Sequence, residues 1–315
     1  MTSSYILITG AGGMVGHNVA DLLASAGMPL LIPRSSELNL LERGAIDSFL
    51  SRYRPWLIIH CAGRVGGIQA NIAAPVDFLY ENMQMGLNIV MSALGQGVPY
   101  FLNMGSSCMY PAHAINPLTE DMVLTGGLES TNEGYAIAKS TITRLCQYIN
   151  AQYQGFFYKT LVPCNLYGMY DKFDELFAHM IPAIIRKVDL ALHMNADTID
   201  IWGDGEARRE FMYAEDLAAV VLMAVNNFED LPDIMNVGLG YDYTVNEYYQ
   251  AVADVLGYKG NFRHDLSKPS GMRRKLVDIS RQKDFGFVPR FTLQEGIERT
   301  YDYYKTLSTC QHNLG

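Results

Sequence analysis

Near-continuous apolar runs punctuate the first half of the chain: Tyr5 to Thr9, Leu30 to Ile32, Trp56 to Cys61, Tyr100 to Met104 and Tyr158 to Val162. Each has the length of a strand, and the longer stretches between them carry amphipathic, helix-like spacing. A strand that is apolar at almost every position is buried on both faces. Such strands pair in parallel, because parallel neighbours need crossovers, and crossovers lay helices over both sides of the sheet. The pattern predicts an α/β fold, a doubly wound parallel sheet that binds ligands at the C-terminal ends of its strands. Tyr5 to Thr9 runs straight into glycines, with no basic start and no small-residue cleavage pattern, so it reads as a first strand and not a signal peptide.

From about residue 166 the alternation loosens. Asp171 to Asp174 and Trp202 to Gly205 read as loops, and Pro163, Pro182, Pro232, Pro269 and Pro289 interrupt the remainder. A smaller, irregular α+β lobe is expected over 166–315. Two helices stand out in it: Ala214 to Val225, and Tyr243 to Leu256, which Thr244 starts and Gly257 ends. In the first half, Pro75 to Leu94 and Ala136 to Ala151 are long helices apolar enough to pack a four-helix interface, which predicts a homodimer.

Composition narrows the class. With 315 residues, 49% apolar and 18% charged, the chain has the make-up of a packed globular protein. A net charge of -9 argues against nucleic acid as a partner, since wrapping a polyanion needs clustered Lys and Arg. The five Cys form no CxxC pair and no ligand-like cluster with the seven His, so no metal site and no disulfide framework is expected. An odd number of thiols fits a reducing, cytoplasmic setting, and no apolar run approaches the roughly 18 residues a membrane span needs.

Candidate chemistry begins at Gly10-Ala11-Gly12-Gly13-Met14-Val15-Gly16, which follows the first strand and opens a helix running to about Ala26. Gly10 permits a tight turn, Gly13 lets backbone approach a pyrophosphate, and Gly16 lets the helix pack on the strand, with the helix N-terminus facing the anion. Met14 and Val15 belong to the same cofactor-binding loop. The second strand ends in Ile32-Pro33-Arg34-Ser35-Ser36, where a free ribose hydroxyl would call for an acid. Arg34 is suited instead to a ribose phosphate, which predicts NADP(H).

Tyr135 and Lys139 are four residues apart on one helical face. A cation beside a phenol stabilises the phenolate and brings the group toward the pH at which it exchanges protons. Ser106 follows the Tyr100 to Met104 strand and can hydrogen-bond the same substrate oxygen. In order and spacing, the glycine loop, the strand-end serine and the Tyr/Lys helix resemble the extended branch of the short-chain dehydrogenases. The resemblance covers essentially the whole chain and implies a Rossmann domain over 1–165, with later segments such as 211–238 returning to it, and a mainly substrate-binding lobe over 166–315.

Within that branch, four stretches resemble the GDP-L-fucose synthase family: Val65 to Asn71, Gly105 to Pro111, Asn132 to Lys139 and Pro163 to Gly168. Related dehydratases carry an Asp-Glu pair after the serine or threonine, where this chain has Ser107-Cys108. The resemblance implies that Ser106, Tyr135 and Lys139 serve ketone reduction, and that Cys108 and His179 are an epimerising acid/base pair. Their ordinary pKa values, near 8.5 and 6.5, lie close to working pH. It adds Pro163, Asn165 and Leu166, with Tyr135 and Lys139, to the NADP(H) site, and implies a GDP-linked 4-keto-6-deoxy sugar as substrate.

A diphosphate must be neutralised locally, and the basic clusters are Arg186-Lys187, Arg208-Arg209 and Lys268 with Arg273 to Lys275, the last three reading equally as solvated charge. Lys187, Trp202, Arg209 and Lys268 are the substrate-binding candidates. Two positions depart from the family pattern: Met169-Tyr170 stands where Pro-His is common, and Gly12 where a basic residue is frequent. A sister enzyme making GDP-L-colitose or a GDP-deoxyheptose would keep the same catalytic set, and a non-catalytic cofactor sensor would lose it.

Overall fold

The computed structural model of the protein describes residues 4–174, 178–267 and 272–312. The first half runs β1 (Ile6–Thr9), α1 (Met14–Ser25), β2 (Leu30–Leu31), α2 (Arg43–Tyr53), β3 (Leu57–His60), α3 (Ile68–Ala73), α4 (Pro75–Gly95), β4 (Tyr100–Met104), α5 (Glu133–Gln152) and β5 (Phe157–Pro163). The second half runs β6 (Asn165–Tyr167), α6 (Met180–His193), β7 (Thr198–Trp202), β8 (Arg208–Arg209), β9 (Phe211–Tyr213), α7 (Ala214–Asn226), β10 (Ile234–Val237), β11 (Tyr243–Thr244), α8 (Val245–Leu256), β12 (Asn261–Asp265), β13 (Arg274–Lys275), α9 (Ser280–Asp284) and α10 (Leu293–His312). All five anticipated strands form, each within about a residue of its expected bounds.

Six parallel strands make the main sheet, in the order β10-β5-β4-β3-β1-β2. The order reverses at β1, where strands are added first to one side and then to the other, leaving a crevice at their carboxyl ends. Helices cover both faces, as continuous apolar strands require. On one face α1 and α7 pack over Ile6, Ile8, Leu102 and Leu161; on the other α2, α4 and α5 pack over Leu7, Ile58, Phe101 and Tyr158. α4 and α5 approach closely because Gly86 has no side chain: a Cβ there would lie 2.5 Å from Ile142 Cγ1.

The last sheet strand, β10, arrives only after β6 to β9 and α6 and α7, and it pairs in register with β5 from Ile234 against Thr160 to Val237 against Pro163. A separate apolar core lies beyond the sheet, where α6, α8 and α10 bury Ile181, Ile185, Val188, Tyr248 and Ile297. α8 starts as the sequence indicates: the Thr244 hydroxyl accepts from the Glu247 N–H at 3.1 Å while Glu247 accepts from the Thr244 N–H, and Gly257 closes the helix in the left-handed conformation.

Candidate active site

The carboxyl ends of β1, β4 and β5 define the site. After β1 the chain turns on Gly10, at φ +76, where a Cβ would lie 2.5 Å from the Ala62 nitrogen just past the end of β3. The Gly13 N–H donates to the Gly10 carbonyl at 3.0 Å, and α1 begins with no side chain capping its first turn. Its free N–H groups therefore point into the crevice, the arrangement that receives a phosphate. A Cβ on Gly16 would run into the Gly10 carbonyl, and Met14 and Val15, half-buried in the first turn, fix the helix against the sheet core. This loop fits a dinucleotide pyrophosphate. Arg34 is exposed just past β2, its backbone N–H held by Glu37 Oε2 at 2.8 Å. Pro163 ends β5 beside Val237, Leu166 is buried in β6, and Asn165 Nδ2 donates to the Glu210 carbonyl at 3.0 Å.

β4 delivers Ser106, which caps a one-turn 3-10 helix over Ser107–Met109, its Oγ accepting from the Cys108 N–H at 3.4 Å. α5 presents Tyr135 and Lys139 on one face, as their spacing requires. The Lys139 ammonium, buried, lies 5.7 Å from the centre of the Tyr135 ring and donates to the Met104 carbonyl at 2.8 Å. Tyr135 shares a hydrogen bond with Ser106, so serine, phenol and ammonium converge at one strand end. The expectation that Lys139 draws the Tyr135 phenol toward neutral pH is corrected here. Burial first, then the nearby Cys108, push the phenol above its ordinary value, against the Ser106 hydrogen bond. A phenol held protonated suits donation to an alkoxide, the direction in which a ketone is reduced.

Cys108 is buried, and burial pushes its thiol up as well, so it is not the little-perturbed group its ordinary pKa suggested. Four influences oppose burial: the charge of Lys275, the Ser106 hydrogen bond, the charge of Lys139 and a hydrogen bond from the Cys108 backbone, in that order. Lys275 was legible in the sequence only as one of three adjacent cations. β13 pairs in parallel with β8, with Lys275 opposite Arg209 and Arg274 opposite Arg208. Arg208 and Arg274 both close on the buried Asp242 at 2.6 and 2.5 Å. Lys275, half-buried, is itself lowered by burial and raised by Cys108, which marks the two as neighbours.

His179 stands at the residue before α6, its side chain making no capping bond, and its Nδ1 lies 3.0 and 3.3 Å from the two carboxylate oxygens of Asp171. Burial pulls the imidazole down, but the hydrogen bond and charge of Asp171 outweigh it and, against Lys172, hold it above the ordinary value. Among the described residues no hydrogen bond or ion pair joins His179 to Cys108.

The substrate-lobe candidates are more dispersed. Arg209 is half-buried, lowered by burial, and donates to the Arg208 carbonyl at 2.8 Å. Trp202 ends β7 and is half exposed, at 50%. Lys187, on α6, directs its ammonium to the Asp200 carbonyl at 2.5 Å and to the Tyr249 hydroxyl at 3.4 Å. Lys268 lies outside the described residues. Among the described residues no cluster of His, Cys, Asp and Glu could hold a metal ion, and no helix is long and apolar enough to cross a membrane.

A phosphate-receiving turn after β1 and a Ser/Tyr/Lys group after β4, at the same carboxyl edge of the sheet, form the apparatus of a dinucleotide-dependent dehydrogenase of the extended short-chain type. The pattern of the NAD dependent epimerase/dehydratase family matches residues 6–238, and the chain belongs to that family. It is 54% identical over 299 residues to the GDP-L-colitose synthase of Yersinia pseudotuberculosis, covering 95% of this chain and 97% of that one. It is 46% identical over 301 residues to the GDP-L-fucose synthase of Azorhizobium caulinodans, with 96% of each covered. Among solved structures, the GDP-mannoheptose C4 reductase MlghC from Campylobacter jejuni with NADP bound superimposes with a TM-score of 0.87 at 30% identity, covering 97% of this chain and 99% of that one.

Proposed function

We propose that the chain is an NADPH-dependent 3,5-epimerase and 4-reductase that converts GDP-4-keto-6-deoxy-D-mannose to GDP-L-fucose. The observation that carries this reading is the position of Cys108, two residues beyond Ser106 in the same short turn, under the charges of Lys275 and Lys139. A reductase alone has no use for a thiol there.

NADP(H) fits the loop between β1 and α1, with Gly10, Gly13, Met14, Val15 and Gly16 at the pyrophosphate, Arg34 at the ribose phosphate, and Tyr135, Lys139, Pro163, Asn165 and Leu166 along the remainder. When bound, it supplies the hydride for sugar carbon 4. Cys108, as thiolate, removes a proton from carbon 3 or 5, which the neighbouring ketone acidifies, and His179 returns a proton from the other face. Ser106 holds the ketone oxygen, which develops negative charge in both steps, and Tyr135 protonates it in the reduction. Lys139 orients Tyr135 and the cofactor ribose. Arg209 and Lys187, with Trp202 and Lys268, bind the nucleotide diphosphate, so that 1–165 with 211–238 serve the cofactor and most of 166–315 the substrate.

A second reading, a GDP-L-colitose synthase, is favoured by the higher identity to the Yersinia pseudotuberculosis enzyme. It keeps the same residues and acts on a sugar lacking the carbon-3 hydroxyl. NADPH oxidation with GDP-4-keto-6-deoxy-D-mannose beside its 3-deoxy analogue separates the two: preference for the hydroxylated sugar supports the first, preference for the analogue the second, and turnover of neither removes both. The exposed apolar side chains of Val76, Tyr80, Ile137 and Tyr148 on α4 and α5 support a homodimer through these helices, which sedimentation equilibrium at micromolar concentration tests. The unpaired thiols of Cys61, Cys108, Cys146 and Cys164 support a cytoplasmic setting.

A further inference from the structure

Asp171 has no role in the reaction as derived above, yet it is a nearly inaccessible carboxylate, its side chain 3% exposed, aimed at a candidate catalytic group. Both of its oxygens face one imidazole nitrogen, at 3.0 and 3.3 Å. Oδ1 also accepts from the Lys172 N–H at 2.8 Å, and the Asp171 N–H donates to the Gly168 carbonyl at 3.3 Å, so the carboxylate has little freedom to turn.

The loop that carries it is itself braced. Tyr170, at φ +68, stacks flat on His17 of α1 with ring centres 3.6 Å apart and donates its hydroxyl to Asp21 at 2.7 Å. Asn18 of α1 donates to the Met169 carbonyl at 3.1 Å. The helix that the cofactor loop opens thus holds the segment on which Asp171 sits, and the departure from the family pattern at Met169-Tyr170 is where the two join.

We infer that Asp171 is a positioning residue for His179, fixing the imidazole with its Nδ1 proton on the carboxylate and Nε2 toward the substrate, so that the ring serves as the proton donor of the pair. The inference rests on the epimerase reading for what is protonated, but the Asp171 to His179 contact stands by itself. An imidazole whose Nδ1 is committed to a carboxylate has one nitrogen left for chemistry, and no described residue hydrogen-bonds to Nε2. The carboxylate also stabilises the doubly protonated ring. Among the described residues, the charged groups acting on His179 are Asp171, which favours the imidazolium, and Lys172, which opposes it; the net direction is upward despite burial. In the reaction the Nε2 proton passes to the carbanionic sugar carbon, and the neutral imidazole regains one from solvent.

The test has two parts. Titration of His179 by NMR in the unsubstituted protein, its resonance assigned by loss in His179→Gln, is expected to place the imidazole above the ordinary value of about 6.5. The pH profile of solvent deuterium exchange into the keto sugar, followed with NADP+ so that no reduction occurs, is then compared with Asp171→Asn. The alkaline limb should move down by about 1–3 pH units, the range over which one close opposite charge acts. Exchange above that limb should fall about tenfold per unit, with the NADPH dissociation constant unchanged and partial recovery in Asp171→Glu. An imidazole titrating at or below about 6.5, or an Asp171→Asn profile that overlays the original, would overturn the inference. If the unsubstituted protein exchanges no deuterium, the epimerase reading fails, while the titration still decides whether Asp171 governs the ring.

Discussion

Replacing Glu210 with Ala should destabilise the fold more than any change at the exposed cations around it. The Glu210 side chain is buried, with the residue 1% exposed. Its Oε1 accepts from the Leu239 N–H at 2.6 Å and the Gly240 N–H at 2.8 Å, and its Oε2 from the Val277 N–H at 3.0 Å. Gly238 is required there, since a Cβ would lie 2.5 Å from Oε1. One carboxylate thus joins three segments: the β8 to β9 corner, the turn after β10 and the chain leaving β13. Removing it strands three N–H groups, that of Val277 buried and those of Leu239 and Gly240 in part-buried bonds, each costing about 1–3 kcal/mol when unpaired and shielded from water. Water entering the cavity recovers part of this, leaving a loss of about 3–5 kcal/mol. At about 2 °C per kcal/mol for a chain of this size, the melting temperature should fall by about 6–10 °C. Thermal unfolding by circular dichroism measures it. A melting temperature within about 2 °C of the unsubstituted protein would refute the reasoning that Glu210 is the joint.

Glu210 also sets a pH dependence. Burial raises its carboxyl to about 7, against the three N–H bonds, which pull it down. A carboxyl raised above its unfolded value of about 4.3 contributes stability that is full below that value and is lost as pH rises through about 7. Glu210→Gln should flatten the melting temperature between those limits, as melts across that range would reveal. Cys108→Ala should slow deuterium exchange into the keto sugar by about 10²–10⁴-fold, the span of general base catalysis, and leave NADPH affinity intact by fluorescence titration. Tyr135→Phe should cost a similar factor in single-turnover hydride transfer while exchange persists, since its hydroxyl serves the reduction. Arg34→Ala should weaken NADPH by about 10–100-fold and spare NADH, one charge-assisted contact being worth about 1.5–3 kcal/mol; equal losses for both cofactors would contradict its role.

What could be read from the chain was whatever depends on local spacing. The strand-to-helix glycines, Tyr135 and Lys139 one turn apart, and Ser106 after an apolar strand are each a signal held within a few residues, and the structure places them at the carboxyl edge of one sheet. The ends of α8 were equally plain, because Thr244 and Gly257 act on their own neighbours. Lys275 was not legible as a neighbour of Cys108, because its position depends on the pairing of two-residue strands 66 residues apart in the chain, Arg209 with Lys275. Asp171 read as one acid in a polar loop; only the brace of Tyr170 on His17 turns it toward His179. The protonation tendencies of Tyr135 and Cys108 also departed from their ordinary values, since burial is a property of the whole packed site and outweighs the two cations near Cys108 and the Ser106 hydrogen bond at Tyr135.

The central claim is that one site inverts carbons 3 and 5 and reduces carbon 4. Its most direct test is a single reaction of the protein with GDP-4-keto-6-deoxy-D-mannose and NADPH in D2O, with the product read by NMR. The account predicts an L-galacto product carrying deuterium at carbons 3 and 5 and protium from NADPH at carbon 4. A reduced product that keeps protium and the original configuration at carbons 3 and 5 would contradict it.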